Sequence, residues 1–413
     1  MERERLLRYA SWIRVFTTNA ARCVAWGDLE ALQLYSPDVP LCPNVQSLDW
    51  LSTAPALRFL PLFVPPGIRS LSVSIPSSYR DWDPYAGIAS QVLAEIVPRL
   101  DGSTLTKLRL PSVDDPLSLT PHVRLQISSL VLRCGPALTS LTPVIPLSEP
   151  AILHVMTLPG LRQLKIHSQP PPNVPEPMVI LPFLQTLHLS GAFQSQWLSL
   201  LNSEHNNISP TTMISGSKTP HSTLQTLILS AREGLGPATI NQVLTFTHLT
   251  TLNIRGLCVS PWNGTCAFNL TDRDITHLAI ALPRLTDLLL GSVLCGRNTC
   301  KTTLRSFMSL SVHCSDLSYL QTHINTGDIL RDVETLLGTE DPEVRDLRSR
   351  GRCGLESLDV GSTPLVLSSS SLELVAKGLL NVFPMLKEIF TGARHDGWSK
   401  VQGLVLGTIN NAY

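Results

Sequence analysis

The string L-x-x-L-x-L, with other apolar residues standing in for leucine, recurs along nearly the whole chain. It reads VQSLDW from Val45, LRFLPL from Leu57, IRSLSV from Ile68, LTKLRL from Leu105, LRQLKI from Leu161 and LQTLHL from Leu184. It continues as LQTLIL from Leu224, LTTLNI from Leu249, LTDLLL from Leu285, LESLDV from Leu355 and LKEIFT from Leu386. Weaker copies start at Leu29, Leu138 and Leu317. A repeat constrains the fold more than any other feature here, because self-similar units stack on their neighbours and do not collapse round one centre. At 413 residues the chain is also too long for a single compact core.

The last two apolar positions of the string are two residues apart, which places both on one face of an extended segment. Leu164 and Ile166 therefore point inward, and Gln163 and Lys165 outward. Small or polar residues follow the strands, as in Ser190-Gly191, Ser230-Ala231, Arg255-Gly256, Gly291-Ser292 and Gly361-Ser362, and let the chain turn away. Several copies have a proline two residues upstream, as in LPGL, LPFL, LPRL and FPML.

Between strands the apolar spacing becomes helical. Thr271 is placed to cap a helix with Asp272 and Asp274 in its first turn and Ile275, Leu278, Ala279 and Leu282 on one face. Residues 88–97, 239–246 and 372–383 read the same way. The spacing between copies runs from 23 residues (Leu138 to Leu161) to 40 (Leu184 to Leu224), so insertions are expected near 168–182, 202–223 and 328–354. The expected fold class is α/β: a solenoid with a curved parallel sheet and with helices and loops on its convex side. Residues 1–22 read as an N-terminal helical cap or a remnant linker, and 23–413 as the irregular repeat domain.

The repeat string and its helical spacers resemble leucine-rich-repeat proteins over roughly residues 20 to 400. Within them the chain is similar to the fungal F-box and leucine-rich-repeat proteins, through the opening segment RLLRYASWIRVF and the loosely spaced strands after it. That resemblance implies a repeat domain that holds a target while an F-box engages a ubiquitin-ligase adaptor. The F-box itself is not evident in this chain. The asparagine that ladders the turns of regular leucine-rich repeats is replaced by Ser, Gly or Arg, which implies an irregular superhelix.

Charge and motif content narrow the function classes. Lys plus Arg equals Asp plus Glu, 32 against 32, so no excess of base points to nucleic acid. Charged residues make up only 15% of the chain, against about 25% in ordinary globular chains, which leaves a surface inclined to partners. The apolar stretch around Leu285 to Leu294 is broken by Asp287 and Gly291, and no run reaches the ~20 apolar residues of a membrane span. The N-terminus lacks the apolar core of a signal peptide, and an intracellular setting, cytoplasmic or nuclear, is expected. The Asn263 and Asn269 sequons carry little weight in that setting. The nine scattered cysteines read as free buried thiols. A redox pair of Cys295 and Cys300, or a loop disulfide of Cys258 and Cys266, is the alternative.

No HExxH, GxSxG, GxGxxG or EF-hand pattern occurs. Gly216-Ser-Lys218-Thr219 ends like a phosphate loop but lacks its upstream glycine and strand. His188 and His313 have no second ligand at metal spacing. No catalytic, cofactor or metal residue is assigned, and the chain reads as a non-enzyme. The run EDPEVRDLRSRGR reads as a solvated helix face, with a docking site as the alternative. Trp12, Trp26 and Trp50 read as covering the end of the repeat stack, with an exposed partner patch as the alternative.

The outward strand positions are the candidate binding residues: Arg109, Lys165, His188, Ile228, Asn253, Leu289, Asp359 and Phe390. Basic and polar side chains come first and the apolar Ile228, Leu289 and Phe390 later. Apolar side chains on a solvent-facing row suggest contacts with a protein target on the concave face. The partner expected from this row uses an apolar anchor beside an acidic group. The alternative for the apolar row is a helix or loop from the insertions folded over it. The alternatives for function are a stand-alone interaction scaffold unrelated to ubiquitin ligases and an enzyme with a site built from scattered residues.

Overall fold

The computed structural model describes residues 2–18, 26–35, 40–51, 54–74, 83–110, 120–143, 146–167, 169–172, 181–191, 194–203, 222–231, 237–256, 270–291, 301–338, 353–361, 363–391 and 396–412. The chain divides into two compact units, Met1–Gln185 and Thr186–Tyr413. The first holds strands β1 (Val15–Thr17), β2 (Ser47–Leu51), β3 (Ser70–Ser74), β4 (Lys107–Arg109), β5 (Ser140–Thr142) and β6 (Gln163–Ile166). Its helices are α1 (Glu2–Ala10), α2 (Trp26–Tyr35), α3 (Asp83–Ile96), α4 (Pro121–Arg133) and α5 (Glu149–Thr157). The second holds β7 (Thr186–Ser190), β8 (Thr226–Ala231), β9 (Thr251–Gly256), β10 (Asp287–Leu290), β11 (Tyr319–Gln321), β12 (Ser357–Asp359) and β13 (Glu388–Phe390). Its helices are α6 (Gln194–Ser203), α7 (Pro237–Val243), α8 (Asp272–Ala281), α9 (Arg305–His313), α10 (Ile329–Gly338), α11 (Ser369–Val382) and α12 (Asp396–Ala412).

Within each unit neighbouring strands are parallel and follow chain order, as strand–helix–strand connections require. The register aligns the central leucine of every copy. Leu48 faces Leu71, Leu71 faces Leu108 and Leu108 faces Leu141 in the first unit. Leu187, Leu227, Leu252, Leu288, Leu320 and Leu358 form the same row in the second. All of these side chains are shut off from solvent. Each is worth about 1.5–3 kcal/mol relative to an exposed leucine. The α/β reading with a parallel sheet and helices between strands is what the chain forms.

Ten of the eleven strong copies become strands, and so do the weaker copies from Leu138 (β5) and Leu317 (β11). Two copies do not. LRFLPL lies in a 3-10 helix, Ala54–Phe63, with Pro61 inside it. Proline removes a ladder donor, and this copy starts midway between Val45 and Ile68, which leaves no room for a full unit. The weak copy from Leu29 lies in α2. Conversely, β1 forms within the segment read as a helical cap. Its string is Ile13-x-x-Phe16 without a third apolar residue, since position 18 is Thr.

The prolines upstream of the strands have a local cause. Leu161, Leu184, Leu285 and Leu386 each donate their N–H to the carbonyl three residues back, on Leu158, Leu181, Leu282 and Phe383. Pro159, Pro182, Pro283 and Pro384 occupy the second position of those turns, where proline's fixed φ fits. The residue before each strand then bonds sideways to its counterpart in the preceding unit. Thr139 directs both its N–H (2.8 Å) and its hydroxyl (2.9 Å) to the Thr106 carbonyl. Thr106 does the same to Arg69, Thr250 to Gln225 and Ser318 to Thr286. A hydroxyl ladder therefore runs beside the strands in each unit.

The helix expected from Thr271 onward is α8, with a reciprocal capping box: Thr271 N–H donates to Asp274 and Asp274 N–H to the Thr271 hydroxyl. Ile275, Leu278, Ala279 and Leu282 are buried as its shared face. The regions read as helical at 88–97, 239–246 and 372–383 correspond to α3, α7 and α11. The expected insertion near 328–354 begins with α10, and residues 339–352 lie outside the described residues, as do most of those near 168–182 and 202–223.

At the C-terminal edge, α12 closes β13. Ile389 N–H donates to Gln402 Oε1 and Gln402 Nε2 donates to the Lys387 carbonyl at 3.1 Å. The amide satisfies edge groups that a further strand would otherwise claim. Trp398, fully buried, donates Nε1–H to the Thr363 carbonyl at 3.0 Å and anchors the helix.

Candidate functional site

Period-two alternation leaves one sheet face of each unit to solvent, and the residues read as outward lie on it. In the first unit Arg109 is exposed on β4, opposite Thr142, and Lys165 is half-buried on β6. In the second unit the other six fall into one register row. His188 faces Ile228, Ile228 faces Asn253, and Leu289 on β10 faces Asn253 from the other side. Leu289 then faces Gln321, Gln321 faces Asp359, and Asp359 faces Phe390. Gln321 is the one member of this row that the sequence reading omits, because it belongs to the weak copy from Leu317.

The row is not uniform. Phe390 is 47% exposed, Ile228 and Leu289 are half-buried, and Asn253 is buried. The apolar residues are also not contiguous. Asn253 separates Ile228 from Leu289, and Gln321 and Asp359 separate Leu289 from Phe390. At ~4.8 Å per strand, Leu289 and Phe390 stand roughly 14 Å apart. Asn253 Oδ1 accepts from Arg255 Nε at 3.0 Å, and His188 Nε2 lies 3.0 Å from the Ser230 hydroxyl.

Two residues upstream along β10–β13 runs a second outward row: Asp287, Tyr319, Ser357 and Glu388. Asp287 lies 2.7 Å from the Thr286 hydroxyl and 3.4 Å from that of Thr251. Asp359 accepts from Gly361 N–H at 2.8 Å and faces the Tyr319 hydroxyl at 3.5 Å. The Tyr319 phenol is pushed above its ordinary pKa, first by burial and then by the charge and hydrogen bond of Asp359; Arg255 opposes the rise and Asp287 adds to it. None of Asp287, Asp359 and Glu388 forms an ion pair among the described residues. The charges beside Leu289 and Phe390 are carboxylates, with Arg255 on β9 of the same unit, while Arg109 and Lys165 belong to the other unit.

Two residues downstream the row is Gly291, His323 and Gly361. His323 is buried, and both glycines adopt positive φ, +108° and +58°. A Cβ added at Gly291 would come 2.7 Å from the His323 ring, and one at Gly361 2.5 Å from it. The glycines read as strand-ending turns are therefore also the two walls of an imidazole slot.

Asp287, Tyr319 and Glu388 were legible by the same alternation rule, applied one step upstream of the central leucine. The slot was not, since nothing local marks His323 as the neighbour of residues more than thirty positions away in sequence.

The other residues singled out from sequence fall into two groups. Cys42, Cys134, Cys314 and Cys353 are free and buried. Burial pushes the thiols of Cys134 and Cys353 to about 11 and that of Cys314 to about 12, so they stay protonated and unreactive. Trp50 is buried against Phe63, whereas Trp12 is 63% exposed with Tyr9 edge-on at 5.4 Å. Cys258, Cys266, Cys295, Cys300, the sequons at Asn263 and Asn269, Gly216–Thr219 and the charged run 340–352 lie outside the described residues.

Among the described residues no group of three or more His, Cys, Asp and Glu side chains is placed to hold a metal ion, and no helix is long and apolar enough to cross a membrane. No protein-family model and no curated protein matches the chain.

Proposed function

We propose that this chain is a protein-binding repeat module that holds a target polypeptide on the outward sheet face. The observation that carries this reading is the second unit's row from His188 to Phe390. It combines an exposed aromatic side chain with half-buried aliphatic and charged ones along one register row. The leucine-rich-repeat resemblance supports the same use, since stacked units offer long binding surfaces. Its F-box branch adds a narrower version, a substrate-recognition subunit of a ubiquitin ligase. An intracellular setting, cytoplasmic or nuclear, goes with this reading.

The test is affinity capture of the full chain from its own cell extract, beside Ile228→Asp, Leu289→Asp and Phe390→Asp variants. Specific proteins held by the wild type and lost by variants of unchanged stability support the reading. Co-recovery of ligase adaptor and cullin subunits supports its narrower version, and their absence leaves a scaffold unrelated to ubiquitin ligases. Capture that no face variant disturbs, or variants that lose the fold, would sink the assignment to this face.

A further inference from the structure

We infer that the β10–β13 part of this face receives a basic polypeptide segment, with arginine or lysine residues flanking a large apolar side chain. The inference rests on the protein-binding reading and adds the chemistry of the partner.

Three observations converge on that occupant. The first is charge. Asp287, Asp359 and Glu388 stand outward on three strands, and β10–β13 contribute no basic side chain to the two rows that hold them. Among the described residues of this face Arg255 on β9 is the basic side chain that reaches the acids: its Nε donates to Asn253, and its charge acts on Tyr319 against that of Asp359. The donors reaching Asp287 and Asp359 are neutral hydroxyls and one backbone N–H. Such donors orient a carboxylate without cancelling its charge, and each carboxylate keeps acceptor positions open. A partly desolvated surface with three carboxylates against one guanidinium keeps a net negative charge, which attracts cations and repels acidic segments and nucleic acid.

The second is apolar and aromatic area among the acids. Phe390, 47% exposed, lies beside Asp359, and half-buried Leu289 lies along the strand from Asp287. A purely electrostatic surface has no use for these side chains, whereas a guanidinium can stack on an aromatic ring and fork to a carboxylate together. The raised Tyr319 pKa agrees: after burial, Asp359 is its main cause and Asp287 adds to it, with Arg255 opposing both.

The third is spacing. Asp287 and Glu388 share a register row three strands apart, roughly 14 Å. An extended segment crossing the strands advances ~3.3 Å per residue, so basic residues about four apart reach both ends. An apolar residue between them falls toward Leu289 and Phe390.

The experiment is a random-peptide display selection on the full-length chain. Enriched peptides are then labelled with fluorescein and titrated by polarisation against wild type, a D287N/D359N/E388Q variant and Phe390→Ala. Thermal unfolding checks each protein, and Glu149→Gln on a helix of the first unit is the charge control. Enrichment of Arg/Lys–apolar patterns is expected, with binding weakened about tenfold or more by the triple amide variant and by Phe390→Ala but not by the control. The amide substitutions keep side-chain shape, and Phe390→Ala removes an exposed ring, so the two variants test the site independently of folding. Neutral or acidic peptides that bind here and are lost with Phe390→Ala would overturn the inference while the protein-binding reading stands. Peptides insensitive to every face variant, or no enrichment at all, would overturn both.

Discussion

Single residues decide more here than the leucine pattern suggests. Gly291 and Gly361 both adopt positive φ, and both face the ring of His323. Gly361→Ala should therefore lower stability by about 2 kcal/mol, part from φ and part from the clash. In a His323→Ala background the clash disappears, and the same substitution should cost only about 1 kcal/mol. A double-mutant cycle by urea unfolding measures the difference, and additive costs would mean the ring does not sit between the glycines. His167 offers a test by pH. Burial, with Lys165 adding to it, lowers its pKa from 6.5 to about 4. Between these values the unfolded chain holds a proton that the folded chain refuses. Stability is therefore whole above pH 6.5 and is lost as pH falls toward 4, by about 3 kcal/mol for this group. His167→Gln should show a correspondingly smaller loss between pH 7 and pH 4.5 in the same unfolding assay.

At the level of elements, neighbouring repeats are tied by hydrogen bonds that the apolar string does not encode. Threonine and serine just before the strands make this tie. Thr139→Val and Thr250→Val keep the shape of the side chain but remove the hydroxyl that reaches the preceding unit's carbonyl. Each should cost about 1 kcal/mol, read as a lower denaturation midpoint, with parallel-sheet circular dichroism unchanged. Unaltered midpoints would show that the backbone N–H alone carries the tie. The correction at Leu57 belongs to this scale too. LRFLPL has the right letters but the wrong spacing, and an element forms only where the chain has length enough to leave the sheet and return. The buried side chains Leu57, Phe59 and Leu60 still serve the core, from a 3-10 helix and not from a strand.

For the whole molecule, a net charge of zero conceals an uneven distribution. The outward strand positions of the first unit include Lys107, Arg109 and Lys165, with Asp49, whereas those of the second include Asp287, Asp359 and Glu388, with Arg255. A chain balanced at 32 against 32 would ordinarily give up any electrostatic argument about partners. The balance excludes only a uniformly charged partner surface. If the second unit's face binds a basic segment, affinity should fall several-fold between 50 and 500 mM salt through a slower on-rate. A salt-independent affinity would leave apolar contact as the whole of the interaction.

The sequence by itself determined the repeating α/β architecture, the inward leucine row, the α8 cap and the outward strand positions of the eight residues, of which Asn253 is nonetheless buried. These follow from period and local chemistry, which act over a few residues and are written in adjacent letters. Only the tertiary structure decided which outward residues meet. Asp287, Tyr319 and Asp359 approach one another, as do Gly291, His323 and Gly361, across strands separated by more than thirty residues. Insertions of unequal length separate those strands, so no fixed spacing in the sequence could pair them. The parallel register sets the partners, and with them the negative sign of the face.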